Sequence, residues 1–264
     1  MKSKYIIGTR GSLLAVTQST LIKNQLEELT GFEFEIKTIK TTGDLVQDKP
    51  LWQIDGKDFF TKELDSALLA GEVDLVIHSY KDLGSIRPEG ITLGAITHRA
   101  FAHDILFFNP KSLSKKEVTI GTSSPRRIYN LEKKLADFMP RPIEKVICQN
   151  LRGNVNSRLE KIAKGEFDGV VLALAGLERL CSKKESLDAI SQNVNSYLFS
   201  ILPLSVFPTA AAQGALALEY CPEHNPQLKN ILNVVHCDST ALEVAREKKS
   251  FAQYGGGCHL AVGI

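Results

Sequence analysis

The chain has 264 residues, of which 43% are hydrophobic and 23% are charged, so it is long enough for two globular domains and part of a third. Its 32 basic and 30 acidic residues leave a net charge of +2, which argues against a global field that recruits nucleic acid or a membrane surface. No run approaches the roughly 18 apolar residues of a membrane span. The sequence leads directly into a predicted strand and not into a signal peptide, so we expect a cytoplasmic protein.

Short apolar strands alternate with amphipathic helices along the chain, which predicts α/β layers. The predicted strands are Tyr5–Thr9, Phe32–Ile39, Asp74–His78, Ile91–Ile96, Asp104–Phe108, Val118–Gly121, Glu144–Cys148, Gly169–Leu174 and Ala215–Glu219. The predicted helices are Leu13–Leu29, Thr61–Ala70, Pro125–Leu135, Val155–Lys164, Gln227–Val235 and Thr240–Gln253. We expect Thr97–His103 and Ser196–Pro208 to cross between two lobes. Ligands of open α/β sheets bind beyond the carboxyl ends of the strands, so the cleft between the lobes is the expected site.

Arginine, glycine and a helix-capping residue follow three of the predicted strands. The segments are Thr9–Ser12, Gly121–Arg127 and Leu151–Arg158, and Arg179 follows a fourth strand. Exposed N–H groups at the start of a helix, together with guanidinium groups, bind carboxylates or phosphates. Each motif alone could be a capped surface helix with solvated arginines. Recurrence at four strand ends favours a site for a polyanionic ligand.

The segment Asp74–Asp82 is predicted to be a buried strand that runs into a polar end. Asp82 is a carboxylate that neighbouring cations keep ionised, half of a surface ion pair with Lys81, or a helix cap. Such a carboxylate can stabilise a developing positive charge or relay protons. His78 is more typical of a core histidine than of a general base.

The last of the five cysteines, Cys258, follows three glycines, Gly255–Gly257. The glycines give the backbone freedom, so this thiol is presented and not packed among apolar side chains. It is either a free loop thiol or an attachment point, and the arginines favour a polyanion tethered through sulfur. An odd cysteine count without a CxxC pair does not predict disulfides. The two cysteines and two histidines within 221–237 match zinc spacing only loosely, so we expect no metal.

Taken in order, these motifs resemble the porphobilinogen deaminase (hydroxymethylbilane synthase) family over essentially the whole chain. The matching segments are Thr9–Ser12, Thr42–Asp44, Gly56–Lys57, Phe60–Leu64, His78–Asp82, Gly121–Arg127, Leu151–Val155, Leu172–Leu180, Gln213–Ala215 and Gly256–Cys258. The resemblance implies an α/β protein with two lobes like those of periplasmic binding proteins, a hinge and a cleft. It also implies a small α+β third domain, truncated because family members usually continue beyond their cofactor cysteine. The implied domains are 1–97 with 201–218, then 98–200, then 219–264.

The resemblance also implies a chemistry: four porphobilinogen units are polymerised to hydroxymethylbilane, with release of ammonia, on a dipyrromethane held by a thioether to Cys258. Asp82 is then the catalytic carboxylate. The implied cofactor-binding residues are Lys81, Asp82, Thr122, Ser124, Arg126, Arg127, Arg158 and Cys258. The implied substrate-binding residues are Arg10, Ser12, Lys57, Arg152, Arg179 and Gln213.

This chemistry belongs to tetrapyrrole, porphyrin and heme biosynthesis, and we expect a monomer that binds porphobilinogen and neither nucleic acid nor membrane. One alternative is a paralogue that binds a pyrrole or tetrapyrrole without turnover. A second is a two-lobed solute-binding protein for small anions. That protein would have no use for Cys258 and would need a signal for export.

Overall fold

The computed structural model describes residues 2–45, 61–84, 86–255 and 260–264. These residues divide into two compact units. The first unit contains residues 2–45, 61–84, 86–100 and 214–250, and the second contains 101–213, 251–255 and 260–264. The division into three domains, with the bounds given above, stays a prediction.

Strands and helices alternate in the described residues. The strands are β1 Lys4–Arg10, β2 Glu33–Ile39, β3 Leu75–Ser79, β4 Thr92–Ile96, β5 Asp104–Phe108, β6 Glu117–Gly121, β7 Lys145–Gln149, β8 Gly169–Ala173, β9 Leu198–Ile201 and β10 Leu216–Tyr220. The helices are α1 Leu13–Thr30, α2 Thr42–Leu45, α3 Lys62–Leu69, α4 Pro125–Lys134, α5 Val155–Ala163, α6 Leu174–Cys181, α7 Lys184–Val194, α8 Leu228–Leu232 and α9 Asp238–Ala252. No helix among the described residues is long and apolar enough to cross a membrane.

Each unit is built on one five-stranded sheet, and the two sheets have the same design. The strand orders are β2-β1-β3-β10-β4 and β7-β6-β8-β5-β9. In each sheet the first three strands are parallel, and the fourth is antiparallel to both of its neighbours. The carboxyl ends of the parallel strands therefore lie at one edge, which is where ligands of such sheets bind.

Helix α1 shows how the local sequence sets an element. Its N-cap is Ser12, whose side chain accepts a hydrogen bond from the Ala15 N–H, and it ends at Gly31, which has a φ of 71°. A left-handed residue of this kind is the usual helix stop, and glycine adopts it without strain. Ile22 and Leu26 lie one helical turn apart and pack into the core of the first sheet.

The α/β class and the two-lobed organisation are confirmed by the two sheets. Every predicted strand and helix is present among the described residues, and the bounds agree within two residues except for helix 227–235, where α8 ends at Leu232 and a 3₁₀ turn, Asn233–Val235, follows. The hinge and the cleft stay predictions.

The prediction missed α2, α6, α7 and β9. Helix α7 buries only Ser186 and Ile190, so its apolar face is narrow. The crossover expected at Ser196–Pro208 instead contains β9, whose four residues are all exposed and which forms by pairing with β5.

Candidate functional site

In the second unit, two polar loops meet beyond the ends of β6 and β7. The Thr122 N–H donates to the Gln149 carbonyl at 2.9 Å, and the Ser123 hydroxyl donates to the Leu151 carbonyl at 2.7 Å. A Cβ on Gly121 would lie 2.5 Å from the Leu151 side chain, so only glycine permits this close approach. The loops are thus held against each other at the carboxyl edge of the sheet.

Each of these loops starts a helix. Ser124 caps α4 by accepting from the Arg127 N–H at 3.5 Å, and Pro125 occupies the first turn, where its missing N–H costs nothing. Asn154 caps α5 by accepting from the Ser157 N–H at 2.9 Å. The caps predicted from sequence are therefore present.

A buried carboxylate, Asp104, organises the arginines of α4. Arg127 donates through Nη2 and Nε to the two Asp104 oxygens at 2.7 and 3.1 Å, and the Arg126 Nη1 lies 3.0 Å from Oδ2. Gln213 donates from Nε2 to Asp104 Oδ1 at 2.9 Å and to the Ala102 carbonyl at 2.6 Å. Asp104 is 1% exposed, so this is a buried ion network with one acid and two cations.

The charges of this network shift its pKa values. Burial acts to raise the pKa of Asp104, but the charges of Arg127 and Arg126 and the hydrogen bonds from Arg127 and Gln213 hold it well below its usual range. Burial also lowers the pKa of Arg126, against the attraction of Asp104. The Asp104 carboxylate is therefore ionised at neutral pH.

Arg158 adds a further cation to this unit. Its Nε donates to the Gly153 carbonyl at 2.8 Å. Burial, followed by the charges of Arg127 and Arg152, lowers the pKa of Arg158 to about 10. A guanidinium whose charged neighbours are cations gains free energy when a carboxylate approaches. Burial likewise lowers the pKa of Arg152, and it lowers that of Arg179 to about 10.

The carboxyl edge of the first sheet carries the predicted catalytic carboxylate. Strand β3 runs into a single 3₁₀ turn, Tyr80–Asp82, called the Asp82 turn below; Asp82 is exposed and Lys81 is half-buried. Because β1 is parallel to β3, Arg10 at the end of β1 and Ser12, the N-cap of α1, lie at this same edge. Gln18, buried on α1, accepts a hydrogen bond from the Ser79 hydroxyl at 3.1 Å and so joins α1 to the end of β3.

A buried charge network lies behind the Asp82 turn. Arg87 donates to both Glu219 oxygens at 2.8 and 2.9 Å and to Asp65 at 2.5 Å, and His78 Nε2 lies 3.3 Å from Glu219. His78 is buried, so the structure places it in the core. Asp65, His78 and Glu219 are close enough to bind a metal ion, but the guanidinium of Arg87 already occupies the two carboxylates.

These contacts shift the pKa values of the two acids in opposite directions. Burial raises the pKa of Asp65, against the attraction of Arg87. Burial also acts to raise the pKa of Glu219, but the adjacent His78 and the hydrogen bonds from Arg87 lower it overall.

The structure groups the predicted residues by unit. In the second unit Arg126, Arg127 and Gln213 meet on Asp104, with Thr122 and Ser124 in the loop before them. In the first unit Arg10, Ser12, Lys81 and Asp82 share one sheet edge. Cys258 and Lys57 lie outside the described residues. All of these roles stay predictions.

Sequence reasoning missed the partners of these residues: Asp104, Arg87 and Glu219. Asp104 gave one usable signal. It is the first residue of a buried strand whose other four residues are apolar, and a buried acid needs a cationic partner. Arg87 and Glu219 gave none, since they are 132 positions apart in the chain.

Comparisons with known proteins bear on both units. A family model described as "Porphobilinogen deaminase, dipyromethane cofactor binding domain" matches residues 5–229. A porphobilinogen deaminase of Sulfurimonas denitrificans is 36% identical over 266 residues, covering 99% of this chain and 78% of that protein. One of Nitratiruptor sp. is 38% identical over 264 residues, with the same coverage of 99% and 78%. Among solved structures, a periplasmic substrate-binding protein of an ABC transporter from Coxiella burnetii is 12% identical, with a TM-score of 0.49 and coverage of 92% and 96%.

Proposed function

Because the chain belongs to the porphobilinogen deaminase family, we propose that it joins four porphobilinogen units into hydroxymethylbilane with release of ammonia. It is a transferase of tetrapyrrole synthesis, and the matched domain binds a dipyrromethane cofactor. We further propose that the cofactor is attached to Cys258 by a thioether, and that the protein works as a cytoplasmic monomer.

The observation that carries this proposal is the excess of guanidinium groups in the second unit. Arg126, Arg127 and Arg158 are partly or fully buried there, and Asp104 is the acid that pairs with the first two. Each pyrrole of this pathway carries two carboxylates on short arms, so a chain growing at one site needs several fixed cations. Charge-assisted hydrogen bonds to such groups are worth roughly 1.5–3 kcal/mol each.

The donor set of the second unit fits a dipyrromethane with acid side chains. Arg126, Arg158, Thr122 and Ser124 would hold the carboxylates, with hydroxyl and N–H donors at the cap of α4. Arg127 would contribute mainly charge, because its Nε, Nη1 and Nη2 already donate to Asp104 and to the Val171 carbonyl. When bound, the dipyrromethane supplies the first two rings onto which the product is built.

The first unit supplies the catalytic carboxylate. Loss of ammonia breaks the aminomethyl C–N bond of porphobilinogen, and the electron pair leaves with nitrogen. The remaining cation is delocalised over the pyrrole N–H, where Asp82 can accept a hydrogen bond and stabilise the charge. Lys81 and Asp82 are both proposed to bind the cofactor. The further residues proposed to bind incoming or growing pyrrole are Arg10, Ser12, Lys57, Arg152, Arg179 and Gln213.

The test is the intact mass of the purified protein together with turnover of porphobilinogen. We expect a mass increase for two pyrrole rings, lost in Cys258→Ala, and release of ammonia with formation of uroporphyrin after porphobilinogen is added. Cys237→Ala is the matched control, because it removes a different thiol that is not fully buried. An unmodified chain that releases no ammonia would refute the proposal. A modified chain that releases none would instead indicate the binding paralogue.

A further inference from the structure

Lys248 of helix α9 contacts the Asp82 turn. Lys248, in the last part of α9, donates from Nζ to the Leu83 carbonyl at 2.7 Å. The same Nζ lies 4.3 Å from the centre of the Tyr80 ring. A single ammonium group therefore contacts the residue after Asp82 and the first residue of the turn, with a hydrogen bond to one and a cation–π contact to the other.

The Asp82 turn is a single 3₁₀ turn of three residues, Tyr80–Asp82. A three-residue 3₁₀ turn makes little internal hydrogen bonding, and here the Leu83 N–H donates back to the Tyr80 carbonyl at 3.2 Å. On the sheet side, the Tyr80 N–H donates to the Ala215 carbonyl at 3.0 Å. Asp82 itself is exposed, so contacts of its neighbours set the position of its carboxylate.

Lys248 supplies the contact from the helix side. Leu83 is 5% exposed and directly follows the Asp82 turn. Arg87 is fixed in turn by Glu219 and Asp65. Along the chain, the exposed Asp82 therefore lies between the sheet contact at Tyr80 and two cationic contacts: the one that Lys248 makes to the adjacent Leu83, and those of Arg87, five residues after Asp82.

Lys248 differs from the other contacts that dock α9 on the first unit. The Arg99 guanidinium donates to Glu247 through both Nη atoms, at 2.5 and 3.0 Å. The backbone N–H of Arg99 donates to the Thr240 hydroxyl at 3.2 Å. These contacts hold the helix, but they join it to the segment after β4 and not to the Asp82 turn. Only Thr240 and Val244 of α9 are buried, so polar contacts account for much of its docking.

We propose that Lys248 is a positioning residue for the Asp82 carboxylate. The inference rests on the proposed function, in which Asp82 is catalytic. Helix α9 ends at Ala252, six residues before Cys258 in the sequence. Lys248 thereby joins the helix that precedes the proposed attachment point to the turn that carries the proposed catalytic group. A displacement of about 1 Å at a reacting group can lower a rate by as much as 10²-fold, so such a contact affects turnover more than binding.

The experiment compares Lys248→Met, Lys248→Arg, Arg99→Met and Lys249→Met in the full-length protein. Methionine keeps most of the stem of Lys248 and removes its charge and its donors. Arginine keeps a donor and a cation over the ring. Lys249→Met is the surface control, because Lys249 is the adjacent, exposed lysine of the same helix. Arg99→Met removes an α9 docking contact that does not involve the Asp82 turn.

The first readout is hydrogen exchange at residues 79–84, measured by peptide mass spectrometry. Tyr80 and Leu83 report on the turn, because their N–H groups make its two backbone hydrogen bonds. We expect Lys248→Met to speed their exchange about five-fold, as the loss of roughly 1 kcal/mol of local stability implies. Arg99→Met and Lys249→Met should leave it unchanged. Unchanged exchange in Lys248→Met would overturn the proposal, whether or not the chain is active.

The second readout is steady-state turnover of porphobilinogen. We expect Lys248→Met to keep the mass adduct and lower kcat about ten-fold with little change in KM, and Lys248→Arg to restore most of kcat. A wild-type kcat in Lys248→Met, or an equal fall in Arg99→Met at equal loss of Tm, would assign Lys248 to helix docking only. If the wild-type chain shows neither adduct nor turnover, the proposed function fails, and the exchange result alone decides whether Lys248 holds the turn.

Discussion

Replacing Asp104 by asparagine tests whether this buried acid organises the arginines of the second unit. The substitution keeps the shape of the side chain and removes its charge. Arg126 and Arg127, which are 5% and 8% exposed, then lose the carboxylate that pairs with both. Removing one partner of a buried ion pair costs about 3–5 kcal/mol, because the remaining charge stays desolvated. At about 2–4 °C per kcal/mol for a chain of roughly this size, that predicts a fall in Tm of about 6–20 °C.

Urea unfolding of wild type, Asp104→Asn and Glu144→Gln measures this cost. Glu144→Gln is the matched control, because it neutralises an acid of the same unit whose partner, Lys116, is highly exposed. An exposed pair is worth about 0–1 kcal/mol, so the control should unfold nearly as the wild type does. Equal losses in the two variants would refute the reasoning, as would an Asp104→Asn variant that is as stable as the wild type.

The remaining predictions concern pH, catalysis and anion binding. Because the pKa of Asp104 is lower in the folded chain than its unfolded value of 3.8, its contribution is complete above about pH 5 and decreases progressively as pH falls below 4 towards the folded pKa, so the difference in unfolding free energy between wild type and Asp104→Asn should narrow steadily from about pH 5 to about pH 2. Asp82→Asn should keep the mass adduct while kcat falls about 10²-fold; a near wild-type kcat would remove Asp82 from catalysis. Sulfate at ten times its Kd should raise the Tm of the cofactor-free chain by about 3–5 °C, compared with chloride of equal ionic strength. Arg158→Gln should abolish most of that increase in Tm. An equal increase in the variant would contradict an anion site at Arg158.

The fold was predictable because its signal is local. Buried parallel strands appear as short apolar runs, and helices such as α4 and α5 are marked by a cap before the first turn. The elements that were missed lack such a signal. Helix α6 starts at Leu174 directly after β8, so the two form one continuous apolar run in the sequence. Strand β9 is formed by its pairing with β5, and its four exposed residues carry no alternating apolar pattern that would mark it in the sequence.

The candidate site was predictable only in part. The arginines were found because each follows a strand and precedes or lies in a helix, which is a pattern within about ten residues. Their partners could not be found in that way. Gln213 and Asp104 are 109 positions apart, and Lys248 and Leu83 are 165 positions apart. Contacts of this range arise from the pairing of strands that are distant in sequence, and no local pattern encodes them.

The excess of positive charge in the second unit indicates an anionic ligand more directly than the positions of the arginines in the sequence do. Arg158 is partly buried beside other guanidinium groups, and its lowered pKa of about 10 is the sign that the folded chain holds this charge at a cost. A carboxylate ligand removes that cost. If the ligand is tethered at Cys258, its acid arms act at an effective concentration near the millimolar range, so weak individual contacts suffice to keep the site filled. On the proposed function, the tether and the guanidinium groups would therefore act together: the arginines would destabilise the chain without cofactor, and the attached pyrroles would restore its stability while they are held for reaction.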